Sequence, residues 1–264
     1  AIKLLLTIWK NRFLILELSK RGYTQRYQGS YGGIAWSFMQ PLFLLGVYTL
    51  VFSVILKTRW GYSGNTKEFA LILFAGLIIL NTFSECLNKA PLLITDNPNF
   101  VKKIVFPLEI LPWVMVTTVL LQTLVSIVVW FLGHFIIFGP PNPTALYFPV
   151  ILMSFFPMLL GVGWLLSAIG VIVRDISQLT LLLSHSLLFL TPIFYSIESA
   201  PPLLQNLLML NPLTYIVEQF RFVLFFGQIP NWTGLTVYFL FSLFFAWASL
   251  KVFRLLQPGF ADLV

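Results

Sequence analysis

Charge is what this sequence has least of. Only 9% of its 264 residues are Asp, Glu, Lys or Arg, where a soluble domain carries roughly 25%. A chain this poor in charge cannot cover its surface in water, which excludes a soluble globular protein. Cysteine occurs once, at Cys86, so an internal disulfide and CxxC-type metal or redox motifs are excluded. Histidine occurs at His134 and His185, far apart and in apolar stretches, a placement that suits packing or a helix–helix hydrogen bond better than a ligand role. No Gly-Lys pair occurs, so no P-loop ending in Gly-Lys-Ser/Thr is present. HExxH and a nucleophile elbow are also missing. The apolar runs hold no clustered acids, bases or metal ligands, which argues against a carboxylate proton relay and against an intramembrane glycosyltransferase or acyltransferase. No cleavable signal peptide pattern is evident.

What is present is apolar. Hydrophobic residues make up 58% of the chain and aromatics 17%, with 27 Phe, and the mean hydropathy is +0.90. The expected fold is an all-α polytopic membrane protein. The net charge of +7 then reads as cytoplasmic positive charge and attraction to anionic lipids rather than as nucleic-acid binding.

Residues 1–33 read as an amphipathic cytoplasmic interface region, with Lys3, Lys10, Asn11, Glu17 and Lys20 at roughly helical spacing along residues 1–20. Residues 34–264 read as a domain of six transmembrane helices. These are expected at about Ile34–Leu56, Phe69–Leu87, Leu108–Phe138, Ala145–Val173, Leu179–Tyr195 and Gly234–Phe253. The polar stretch Asn88–Pro107 reads as a cytoplasmic segment with a short helix starting at Pro98. Residues 196–232 are punctuated by Pro201, Pro202, Pro212, Gly227 and Pro230, and fit two short helices that dip into the membrane from outside and return. Lysine and arginine crowd one side of this topology and leave Lys57, Arg59, Lys67 and Arg221 on the other, placing both termini in the cytoplasm.

Arg26-Tyr27-Gln28-Gly29-Ser30-Tyr31-Gly32-Gly33-Ile34-Ala35-Trp36 with Gln40-Pro41, then Asn99-Phe100-Val101-Lys102-Lys103 with Phe106-Pro107-Leu108-Glu109, then Val173-Arg174-Asp175-Ile176, Pro192-Ile193-Phe194-Tyr195 and Asn211-Pro212-Leu213-Thr214 follow one another along the chain. In this order and spacing they resemble the membrane subunits of type-2 ABC exporters, particularly those exporting cell-surface polysaccharides. Tyr31 departs from the pattern, standing where a smaller aliphatic residue is more usual.

The resemblance covers essentially the whole chain and implies a transport subunit rather than an enzyme. It implies a homodimer in the bacterial inner membrane with two cytoplasmic ATP-binding subunits, which hold the ATP and Mg; no cofactor or metal belongs to this chain. The cargo would be lipid-linked polysaccharide of O-antigen, capsule or teichoic-acid type, which places the protein in lipopolysaccharide biosynthesis or its counterparts; a drug or small lipid is the alternative. The resemblance assigns ATPase coupling to Pro91, Asp96, Asn97, Pro98, Asn99 and Phe100, a contact from roughly Pro91 to Phe100 that includes a short helix with Asp96 near its N-terminus. It assigns the substrate pathway to the first and fifth spans, where Tyr48, Phe52, Phe189, Phe194 and Tyr195 offer rings to sugar C–H faces, although rings in spans also serve packing. Arg26, Tyr27, Lys102 and Lys103 stand where a diphosphate headgroup would approach, or serve as plain anchoring to the inner surface. Asn211, Pro212, Thr214, Glu218 and Arg221 belong to the segment expected to close the outer end.

Overall fold

The computed structural model describes residues 10–58, 60, 66–101 and 106–263. Lys102 and Lys103 therefore lie outside the described residues, as do the first nine residues of the amphipathic stretch. Among the described residues all regular structure is helical. Five helices among the described residues are long and apolar enough to cross a membrane: Ala35–Ile55, Thr66–Leu92, Leu108–Phe138, Pro143–Ile172 and Trp232–Gly259.

Helix α1, Arg12–Gln25, runs five residues further than the amphipathic pattern suggested. Its buried positions, Ile15 and Ser19, continue one turn at a time through Gly22 and Tyr23 to buried Tyr27, and they face the start of the third span. Ser19 Oγ donates to the carbonyls of Ile15 and, at 3.3 Å, Val114, and Thr118 Oγ1 lies 3.4 Å from the Ser19 carbonyl. The helix thus packs on protein along one edge and leaves Phe13 and Leu16 exposed on another. Gly29 and Gly33 then take positive φ of 86° and 49°, turning the chain between α1 and the first span.

Helix α2, Ala35–Tyr48, passes through Pro41 and continues as a π-helix over Thr49–Ile55. Proline removes one backbone donor, and wider π turns within a helix recur at functional sites. Helix α3, Thr66–Lys89, is the centre of the bundle: 83% of its most apolar stretch is buried, against 17% for α2. Helices α4, Leu111–Phe138, and α5, Phe148–Ile172, are each preceded by a 3-10 turn. Trp130 Nε1 donates to the Leu71 carbonyl across α4 and α3, an indole–carbonyl bond of the kind that fixes register between buried apolar helices.

Helix α6, Ile176–Leu190, is shorter than the expected fifth span. Fifteen residues rise about 22 Å, less than the ~30 Å of a hydrocarbon core. Proline disfavours helical backbone in the residue before it, and Thr191, ahead of Pro192, is extended at φ −110°, ψ 141°. Two short helices follow as expected, α7 at Pro202–Leu210 and α8 at Pro212–Leu224. Helix α9, Trp232–Leu256, then packs along α5.

The expected coupling segment from Pro91 to Phe100 consists of three pieces. A 3-10 turn, Ala90–Leu92, extends α3, a turn carries Asp96 and Asn97, and a four-residue helix occupies Pro98–Val101. Pro98 does begin the helix, since its missing N–H would be unpaired there in any case, but Pro91 and Ile94 are buried and anchor the segment. Gly170 on α5 sits directly against the Pro91 carbonyl, where any Cβ would collide with backbone. We predict that Gly170→Ala lowers stability by about 1–3 kcal/mol, read as the thermal midpoint of the purified protein. Gly46→Ala, with open space around it, should stay within about 0.5 kcal/mol; equal shifts would contradict the close approach.

Candidate functional site

Helices α2 and α6 both pack against α3, so α3 forms the floor of the strip between them, the groove. Four of the rings expected in the pathway meet in its half nearer α7 and α8. Tyr48 and Phe52 lie 6.4 Å apart, Phe52 and Phe194 5.8 Å, and Phe194 and Phe189 6.0 Å. Phe52 also rests on buried Phe69, 5.2 Å away on α3. Tyr195 joins through its hydroxyl, which donates to the Phe189 carbonyl at 2.9 Å. Tyr48, Phe52 and Phe194 are partly buried, while Phe189 is 67% exposed. The chain of contacts therefore passes from the packed core to a free surface. Beside it Phe189, Leu190, Tyr195, Pro201, Leu204 and Leu208 line an apolar hollow of about 570 Å³.

The end of α3 nearer α1 is polar. Arg26 Nη1 and Lys89 Nζ both reach Glu85 Oε1, at 2.8 and 2.6 Å, so two cations share one carboxylate and the cluster keeps one net positive charge. The Tyr27 hydroxyl donates to Gln122 Oε1 at 2.9 Å, and burial raises its pKa, keeping the phenol a donor. Asn88 Nδ2 donates to Ser184 Oγ at 3.1 Å, joining the end of α3 to α6. Glu85 was visible in the sequence without a role. Its signal is the four-residue spacing of Asn81, Glu85 and Lys89, one face of an otherwise apolar helix.

The α7–α8 end is held by Arg221, whose side chain is 1% exposed. Nε donates to the Ile72 carbonyl at 3.1 Å, Nη1 to Pro192 at 2.6 Å and Nη2 to Ile193 at 2.9 Å. Glu218 Oε1 stands 3.3 Å from Nη1, and Trp60 lies with its ring centroid 4.6 Å from the guanidinium carbon. The guanidinium thus satisfies the carbonyls freed where α6 breaks. Gly76 on α3 leaves room for it, since a Cβ there would meet Nη2. Asn211 works beside it: Oδ1 accepts from the Leu213 N–H as the N-cap of α8, and Nδ2 donates to the Leu190 carbonyl and Thr191 Oγ1. Pro212 is the first residue of α8, and Thr214 is buried within it.

The expected coupling residues lie at the opposite end of the bundle. Asp96 and Asn99 are exposed, Asn97 and Pro98 are half-buried, and Phe100 stacks on Phe106 at 4.4 Å. A hollow of about 560 Å³ separates this segment from α1, lined by Arg21, Gln25, Asp96, Asn97, Phe100 and Met115 among others.

Arg221→Met should lower stability by roughly 3 kcal/mol or more, because it leaves Glu218 unpaired and three buried carbonyls without their donor. Glu218→Gln should lower it by less than about 1 kcal/mol, since Glu218 is part-exposed and its bond long. Thermal midpoints and protease cleavage within residues 196–232 check both, and equal losses would contradict the clamp on the carbonyls.

Three curated proteins are similar over nearly their whole length. One is the O-antigen export system permease protein RfbA of Myxococcus xanthus, 26% identical with 99% of each chain aligned. The others are O-antigen export system permease proteins RfbA of Klebsiella pneumoniae, 22% and 21% identical with 95% of each chain aligned. Residues 14–225 match the ABC-2 type transporter family, spanning α1, the groove and the Arg221 clamp, and the chain belongs to that family.

Proposed function

We propose that this chain is the channel-forming membrane subunit of an ATP-driven exporter of lipid-linked cell-surface polysaccharide. The observation that carries the reading is the run of contacting rings from Tyr48 and Phe52 to Phe194 and Phe189, which passes from the packed core to a free surface. Rings present apolar faces to sugar C–H groups without fixing a chain in place, and a conduit must hold its cargo weakly at many points. The names of the relatives supply the cargo class.

One copy presents this groove as an open wall. The low burial of α2, and the 33% burial of the most apolar stretch of α9, leave apolar faces for lipid and for a second copy. The working unit in this reading is a homodimer whose two grooves face each other, in the bacterial inner membrane with both termini cytoplasmic. Two ATP-binding subunits supply the energy, bind ATP and Mg, and dock against α1 and the segment carrying Asp96, Asn97, Pro98, Asn99 and Phe100. Closure of those subunits would push a segment locked to α5 at Gly170, so force would pass into the bundle rather than into a loop. The net positive charge around Arg26 and Lys89, with Lys102 and Lys103 nearby in sequence, attracts the diphosphate of the carrier lipid. The α7–α8 segment, with Asn211, Pro212, Thr214, Glu218 and Arg221, closes the outer end.

The test is reconstitution with a cognate ATP-binding subunit and measurement of lipid-linked glycan crossing vesicle membranes. Transport should need ATP and the catalytic carboxylate of that subunit, and Arg26→Ala should reduce it. Phe189→Ala should slow glycan transport about fivefold, the equivalent of a ring contact of ~1 kcal/mol, with complex assembly intact because Phe189 is exposed. Failure to bind any ATP-binding subunit, or binding without glycan movement, would overturn the reading.

A further inference from the structure

Polar side chains are scarce in the spans, yet they converge on one alcove of about 220 Å³ between α2, α3 and α4. This is far above the roughly 15 Å³ that admits a single water. Its hydroxyls are already committed to helix carbonyls: Thr82 to Ile78, Thr123 to Val119 and Ser126 to Gln122. Gln122 is held at both ends, accepting from Tyr27 and donating from Nε2 to the Ser37 carbonyl. These groups form a fixed wall. Three others remain uncommitted. Gln40 and Asn81 also line the alcove, both exposed and with no hydrogen-bond partner among the described residues. Glu85 takes both of its cations on Oε1, leaving Oε2 as an acceptor.

Uncommitted amides at membrane depth are unfavourable unless they line a wet cavity or meet a ligand. Their chemistry limits the ligand. A carboxamide donates and accepts at once, as a hydroxyl does. The charges lining the alcove, Arg26 and Glu85, neutralise each other, so the interior favours neither an anion nor a cation. The surplus positive charge sits at the rim with Lys89.

We propose that this alcove is a saccharide site, taking one neutral, hydroxyl-bearing sugar ring of the cargo while the anionic lipid link stays at the Arg26–Lys89 rim. The proposal rests on the export reading above. The same hydroxyl chemistry could come from a glycerol-type lipid headgroup, and the experiment separates the two sources.

Cys86 is fully buried, so Asn81→Cys creates an accessible thiol in an otherwise native chain. In the complex with its ATP-binding subunit, in phosphatidylcholine nanodiscs, a small cationic methanethiosulfonate should label this thiol. A polyprenyl-diphosphate-linked disaccharide at about ten times its half-saturating concentration should slow labelling about tenfold. Polyprenyl diphosphate without sugar, or added phosphatidylglycerol, should leave the rate unchanged. No labelling in the free complex, or equal protection by either sugarless lipid, would overturn the site. Gln40→Ala and Asn81→Ala should each raise the half-saturating glycolipid concentration for transport severalfold while keeping the maximal rate. Unchanged half-saturation with export intact would overturn the alcove alone, whereas no glycolipid transport by the unaltered complex would overturn the export reading instead.

Discussion

A buried guanidinium sets the geometry of one whole end of this molecule. Helix α6 stops short of a full crossing, and the carbonyls at its broken end cannot turn to water in a packed interior. Arg221 reaches them from α8, takes a third carbonyl from α3, and lies under Trp60. Irregular backbone survives at this depth only where its polar groups find partners. The single side chain therefore explains why α6 can break, why α7 and α8 can fold back, and why α3 carries glycine at position 76.

From that end the surface of α3 changes character along its length. Rings in contact occupy the part near the clamp, while amides, hydroxyls and paired charges occupy the part near α1. The same helix, α3, floors both, with Phe69 beneath the rings and Asn81, Glu85 and Lys89 beneath the polar part. A cargo with a charged link and a sugar chain meets these surfaces in the order in which its own parts differ.

Much of this was legible in the residues. Long apolar runs marked the spans, and prolines marked the starts of the short helices α7 and α8. Asn211-Pro212 announced the start of α8, because an amide that caps and a proline that needs no donor are both suited to a first turn. The rings expected in the pathway were named from the family resemblance, and four of them are neighbours. Other features depend on contacts between distant parts of the chain. Arg221 was expected in the segment closing the outer end, but its clamp is invisible until Ile72, 149 positions away, is seen to accept from it. Pro91 reads as a loop residue until Gly170 closes over its carbonyl. The short helix begins at Pro98 as expected, while the buried positions upstream of it belong to a 3-10 turn that continues α3. The polar stripe on α3 could have been found by counting in fours.

The sparse packing of α2 has a mechanical consequence. Helices α3, α4, α5 and α9 share a continuous core, and the segment at Pro91 is fastened to that same core through Gly170. Compliance must then reside where the fastening is weakest, in a first span with little buried surface, a proline at position 41 and a widened π turn above it. A stroke delivered at the base would leave the chassis rigid and swing this one wall, like a door hung on the Gly29 and Gly33 turns.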